Sequence, residues 1–160
     1  MCSFNPRESS DMDEVSIVIR DFRPIEDQAF IYASWRNAAY YGALERLDDA
    51  QAFFKAQNVL IRDILKTATV RIAALQDAPE VILGYSVSTG TNLEFIYVKI
   101  EFRMRGISKI LCPKGIETVS SPLTKIGTVI AKKKKLKTKE NNDGQARSES
   151  TGASPGPEKA

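Results

Sequence analysis

The stretch Arg103-Met104-Arg105-Gly106-Ile107-Ser108 holds the residue types best suited to binding an anion. It follows NLEFIYVKI, which is β-branched and aromatic like a strand, and runs into ISKIL, which has helix-like spacing. A chain passing from strand to helix exposes backbone N–H groups that have no partner inside the helix. The helix dipole adds partial positive charge there, and a pyrophosphate accepts hydrogen bonds from such a cradle. Gly106 stands where a side chain would collide with the phosphates. Small Ser108 keeps the first helical turn accessible, and Arg103 and Arg105 add charge. The same letters equally suit an ordinary turn in which Gly106 takes a positive φ, and spacing alone does not separate the two readings.

The elements that must position this insert can be read along the chain. VSIVIRDF, residues 15–22, has the content of a strand, and Pro24 with Glu26 and Asp27 marks a helix start. Phe30, Ile31, Ser34 and Trp35 follow at helical spacing as far as Gly42. Apolar positions from Leu44 to Leu65 predict an amphipathic helix broken near Asp48 and Asp49. ATVRIAAL and VILGYSVST, joined by the turn QDAPE, predict an antiparallel hairpin, and NLEFIYVKI a third strand. RGISKILC then reads as a helix with Ile107, Ile110 and Leu111 on one side, IETVS as a short strand, and LTKIGTVIAKKKK as a last helix. These segments predict an α/β or α+β domain over 15–136, with a mixed, mainly antiparallel sheet flanked by helices. A flexible acidic leader, 1–14, precedes it, and a polar tail, 137–160, is too poor in apolar residues to order.

Composition narrows the chemistry. A chain of 160 residues is the size of one domain with its own core. With no histidine, a His-based triad, a His-ligated zinc and a His general base are all excluded. Two cysteines, Cys2 and Cys112, make no disulfide framework, and the polar start lacks the form of a secretory signal, so a reducing, cytoplasmic setting is expected. Charge is split along the chain: residues 1–98 carry 9 basic and 14 acidic side chains, residues 99–139 carry 12 and 2. The basic block starts at the strand–helix insert, which suits an anionic ligand or nucleic acid; a solvated lysine surface is the plain alternative.

R-M-R-G-I-S resembles the R/Q-x-x-G-x-G/A signature of the GNAT N-acetyltransferase superfamily, with Arg103, Gly106 and Ser108 at its defined positions and Ser108 in place of the usual glycine or alanine. The lead-in IYVKIEF is similar to the family's V-x-P-x-x-R, with Lys99-Ile100 replacing x-P. VILGYSV resembles its I-x-G-x-x-V strand. VIRDFRPIEDQAFIYASW resembles its opening strand and helix. The likeness spans about residues 15–130, is specific only over 81–111, and is nearest to compact members found in phage and prophage genomes. It implies a fold lacking the last strands of the family, because the final residues go to lysines and the tail. The sheet edge left open is one that a second copy or a substrate could cover.

The resemblance implies acetyl-CoA. Backbone amides of Met104, Arg105, Gly106, Ile107 and Ser108 would hold its pyrophosphate, and Ile96, Tyr97, Val98 and Lys99 would pair with the pantetheine amides like an added strand. The strand Ile116–Ser120 would splay away to open a slot for the thioester. A backbone N–H near Val98 would stabilise the oxyanion. Attack needs a neutral amine, and Glu94, a carboxylate in the apolar strand LEFIY, is the candidate base, with burial expected to raise its pKa. A solvent-facing Glu94 is the competing reading. Asn92, two residues earlier, would position a water. The last helix lacks the tyrosine that many members use as acid; Ser120, Ser121, Thr124 or solvent would stand in. Tyr97, Tyr40, Tyr41 and Trp35 read as packing.

The acceptor stays open among protein, small-molecule and nucleobase amines. A function of another class is nucleic-acid binding or modification, with Lys125, Lys132, Lys133, Lys134, Lys135, Lys137 and Lys139 on phosphates. No aromatic residue is interleaved with that strip to stack on bases.

Overall fold

The computed structural model describes residues 15–43, 48–120 and 125–139. The leader 1–14, Ser121, Thr124 and the tail from residue 140 lie outside the described residues, as do the side chains of Lys125 and Lys139.

Strand β1, Ile17–Asp21, leads into helix α1, Pro24–Tyr41. Proline at the first turn fits because its ring sets a helical φ and its missing N–H would have no partner there. One buried carboxylate ties the two elements together. Asp27 accepts from the two terminal guanidinium nitrogens of Arg20 at 2.8 Å and from the Arg23 backbone N–H at 2.7 Å. Burial alone would raise the Asp27 pKa, but these hydrogen bonds and the positive charges of Arg20 and Arg23 outweigh it, and the pKa is lowered. Helix α2, Ala50–Leu65, starts where the Asp49 side chain accepts the Ala52 N–H at 3.0 Å. The break expected near Asp48 and Asp49 is therefore the start of a helix.

Strands β2, Thr69–Leu75, β3, Ile82–Thr89, and β4, Asn92–Val98, continue the antiparallel sheet from β1. A single 3-10 turn, Ile100–Phe102, then leads to the short helix α3, Ile107–Leu111. Strand β5, Thr118–Ser120, helix α4, Lys125–Lys134, and strand β6, Lys137–Lys139, complete the order. The sheet is six-stranded, β1 to β6 in sequence order, with the last two pairings parallel.

The mixed sheet agrees with expectation; its last strand does not. Lys137–Lys139, assigned by composition to the tail, form β6 at the sheet edge, where the Lys137 N–H donates to Glu117 O at 3.1 Å. Three residues carrying two lysines show no strand pattern. Backbone pairing with β5 creates the strand.

Period-2 alternation splits the core between the two sheet faces. Ile31 and Trp35 of α1 and Ile61 of α2 pack on Val70, Ile72, Tyr85 and Val87. On the other face Ile107 and Leu111 of α3 pack on Ala73 and Leu83. Ile110, expected to join them, is 49% exposed, because a helix of five residues presents only one narrow stripe. Ser86 donates to the Leu111 carbonyl at 2.7 Å and pins the end of α3 to the sheet.

Candidate functional site

The site grows from the middle of β4. Between Val87–Phe95 and Ser88–Leu93 the register slips by one residue, so Glu94 is the extra residue of a β-bulge. Across the other edge, β4 pairs with β5 only at Asn92–Thr118 and Leu93–Val119. Among the described residues the pairing does not continue past Leu93–Val119, and β5 ends at Ser120. A bulge bends its strand and increases the local twist, which gives a physical reason for the pairing to stop at this point.

A chain of polar side chains fills the junction. Thr118 Oγ1 donates to Asn92 Oδ1 at 2.8 Å, and Asn92 Nδ2 donates to Ser120 Oγ at 2.8 Å. The Ser120 hydroxyl donates to one oxygen of Glu94 and the Thr89 hydroxyl to the other. Asn92 and Ser120 are buried, and Glu94 is half-buried. Asn92 and Glu94 are thus brought together with Ser120, but through Ser120 and not by lying two apart on one face, because the bulge intervenes. With its amide bonded to Thr118 on one side and to Ser120 on the other, Asn92 orients the Ser120–Glu94 pair. Sequence reasoning assigned nothing to Thr89 and Thr118. Thr89 was readable, since the two-residue turn Gly90-Thr91 sets it opposite Asn92 and next to the bulge. Thr118 was not, because it arrives through a parallel pairing that no local pattern marks.

Among the described residues the far half of β4 has no partner on its β5 side and forms an open edge. The Lys99 N–H donates to Leu83 O at 2.8 Å, towards β3. Alternation along an extended strand then points the Tyr97 N–H to β3 as well, and those of Val98 and Ile96 away from it. The four residues expected to pair with a ligand reduce to two that present amides, Ile96 and Val98. Tyr97 packs instead, its ring 5.8 Å from Tyr85 and 6.1 Å from Phe30, and the Lys99 ammonium sits 5.1 Å from the centre of the Phe30 ring. Trp35 stacks on Phe95 at 4.6 Å, and Tyr40 packs against Phe53 and Phe54.

Past the 3-10 turn, Met104 (φ 65°) and Gly106 (φ 78°) both take left-handed backbone. Alternating backbone hands of this kind form an anion-binding nest. Met104 is fully exposed, so no packing explains a conformation that costs a non-glycine residue on the order of 1–3 kcal/mol. Among the described residues, the amides of Met104, Arg105, Gly106, Ile107 and Ser108 donate to no protein acceptor. A Cβ built on Gly106 meets nothing within 4 Å, so the space before it is open. Five amides without protein acceptors beside an uncrowded position at Gly106 suit a diphosphate. Arg103 is placed differently from expectation: its Nε donates to Val98 O at 3.0 Å, bracing the open edge. Arg105 lies 5.6 Å from the centre of the Phe102 ring.

A groove of about 530 Å³ lies on the α2 side of Glu94. Elsewhere, Lys132, Lys133, Lys134, Lys135 and Lys137 are exposed on α4 and at the β6 edge. Among the described residues no group of acidic or cysteine side chains could hold a metal, and no helix is long and apolar enough to cross a membrane.

Comparison with solved structures places this architecture. An archaeal protein from Pyrococcus furiosus, assigned as an acetyl transferase, matches with a TM-score of 0.50 over 82% of this chain and 86% of its own, at 14% identity. The fold is GNAT-like. Apo YjaB from Escherichia coli matches at a TM-score of 0.44 and 18% identity over 59% of this chain, which spans 60% of YjaB. A GCN5-related N-acetyltransferase from Kribbella flavida gives 0.41 and 17% over 61% of each chain. No protein-family model matches the chain, and no curated protein matches it significantly. In the GNAT-like frame, the last β4–β5 pair at Leu93, the Ile96–Val98 edge and the 104–108 turn follow one another along the chain.

Proposed function

We propose that this chain is an acetyl-CoA-dependent N-acetyltransferase acting on an amine. One observation carries the reading: among the described residues β4 has no parallel partner after Leu93 and is followed by five amides without protein acceptors. An extended, amide-bearing chain ending in a diphosphate matches that sequence of free groups. Ile96 and Val98 would hold the pantetheine part, and the amides of residues 104–108 the diphosphate. Bound there, acetyl-CoA supplies an activated acetyl thioester.

The remaining work falls to the chain's own groups. The Val98 N–H, directed from the open edge, is the donor for charge developing on an acyl oxygen; its carbonyl is already occupied by Arg103. Glu94 takes the proton that an ammonium must lose before its nitrogen can attack. Thr89 and Ser120 fix the two carboxylate oxygens, and Asn92 fixes Ser120, so the base has one orientation. Ser120, whose hydroxyl donates to Glu94, would stand in for the tyrosine that the last helix lacks, and the setting would be cytoplasmic.

Calorimetry with acetyl-CoA tests the reading. The unaltered chain binds; Gly106→Trp, whose side chain enters the gap and whose φ of +78° no longer suits it, does not. Unchanged affinity in Gly106→Trp would place the diphosphate elsewhere.

A further inference from the structure

We propose that the groove beside Glu94 takes a primary ammonium carried on an unbranched aliphatic stem. This rests on the acetyltransferase reading and names its acceptor class. The wall is one stripe of α2: Ala56, Val59, Leu60 and Ile64 line it, followed by Thr67 just past the helix. From Ala56 to Thr67 such a stripe is roughly 16 Å long at the helical rise. A groove of this size with an aliphatic wall suits an apolar body.

Charge selects the head group. The groove is lined by two carboxylates, Asp63 and Glu94, and by no Lys or Arg among the described residues. Asp63 is already paired, with Lys66 at 2.9 Å and Arg62 at 3.6 Å, all three exposed. The uncompensated charge is therefore Glu94. Its two oxygens each accept one hydroxyl and retain lone pairs for an N–H donor. An anionic acceptor would be repelled by Glu94. A polyhydroxylated one would set hydroxyls against the α2 stripe without partners, which selects strongly against it.

The transfer balances on that placement. A bond forms between the amine nitrogen and the acetyl carbonyl carbon as the carbon–sulfur bond breaks, and sulfur keeps the electron pair. The ammonium loses two protons: one passes through Glu94 to solvent before attack, and the other ends on the thiolate.

The test uses the full chain with acetyl-CoA, a thiol reagent to follow CoA release, and amines from ethylamine to hexylamine, with glucosamine and aspartate as polar and acidic acceptors. kcat/KM should rise about threefold to fourfold per methylene until the groove fills. Aspartate and glucosamine should fall at least 100-fold below hexylamine. Without acetyl-CoA, titrated hexylamine should shift the amide NMR signals of Thr67 and Thr89. Val59→Lys, at a position 46% exposed, should lower kcat/KM for hexylamine at least tenfold while leaving acetyl-CoA affinity unchanged. A flat series, equal use of aspartate or glucosamine, or absent NMR shifts would overturn the inference. Binding of acetyl-CoA with no acetylation of any alkylamine would overturn it and leave the cofactor site standing. Failure to bind acetyl-CoA would overturn both.

Discussion

Gly84 is the most economical probe of how the sheet builds the open edge. A Cβ at this position would lie 2.5 Å from the Tyr97 carbonyl oxygen and 3.2 Å from Val98 Cα. Both contacts are backbone, so no side chain can swing aside. Reaching ordinary contact at Tyr97 O requires β3 and β4 to separate locally by about 0.9 Å. Overpacking of this kind costs on the order of 1–3 kcal/mol. For a domain of this length, that lowers Tm by roughly 2–12 °C. The displaced residue is Val98, whose N–H is assigned to the acyl oxygen and whose carbonyl anchors Arg103. Gly84→Ala should therefore weaken acetyl-CoA binding about tenfold by calorimetry well below Tm, and lower kcat further, because 1 Å of misplacement is costly in a reacting geometry. A variant with Tm within 1 °C and unchanged affinity would refute the claim that Gly84 sets the strand spacing at this edge.

Four further outcomes follow from the same geometry. Glu94→Gln should lower kcat by about 10²–10⁴-fold, with little change in Tm. Ser120→Ala strands Asn92 Nδ2 and one Glu94 oxygen, costing about 1–3 kcal/mol; differential scanning calorimetry should show it, together with a fall in kcat at unchanged acetyl-CoA affinity. Asp27→Asn leaves the nearly buried Arg20 guanidinium without its counter-charge, at about 3–5 kcal/mol or roughly 6–20 °C in Tm. The Asp27 pKa is lowered from 3.8, so its stabilisation is fully present above that value and is lost as pH falls through the lower folded-state pKa. Tm of the unaltered chain should therefore hold from pH 7 to pH 5 and drop on further acidification, with a smaller drop in Asp27→Asn.

The fold was largely legible because local patterns and tertiary contacts agree along most of the chain. The β-branched runs of β1 to β4, Pro24 at the head of α1 and Asp49 at the head of α2 are local devices that the tertiary structure keeps. Three features were not legible. β6 is a strand through its pairing with β5 and not through the character of its lysines. The 3-10 turn at Ile100–Phe102 carries strand-like letters, but the Phe102 and Arg103 amides bond back to Lys99 and Ile100 and close a turn. The slip at Glu94 shifts side-chain facing by one residue, which two-residue alternation cannot anticipate.

From the residues alone came the exclusion of histidine chemistry, the place of the basic insert, and the candidates Glu94, Asn92 and Gly106. These depend on which groups exist and on their neighbours along the chain. Only the folded chain decided that Asn92 reaches Glu94 through Ser120, that Arg103 braces Val98, and that α2 supplies an aliphatic wall beside the carboxylate. Each of these joins elements that are distant in sequence or follows from a register shift, and hydrogen bonds reach only about 3 Å, so a one-residue slip decides which groups meet.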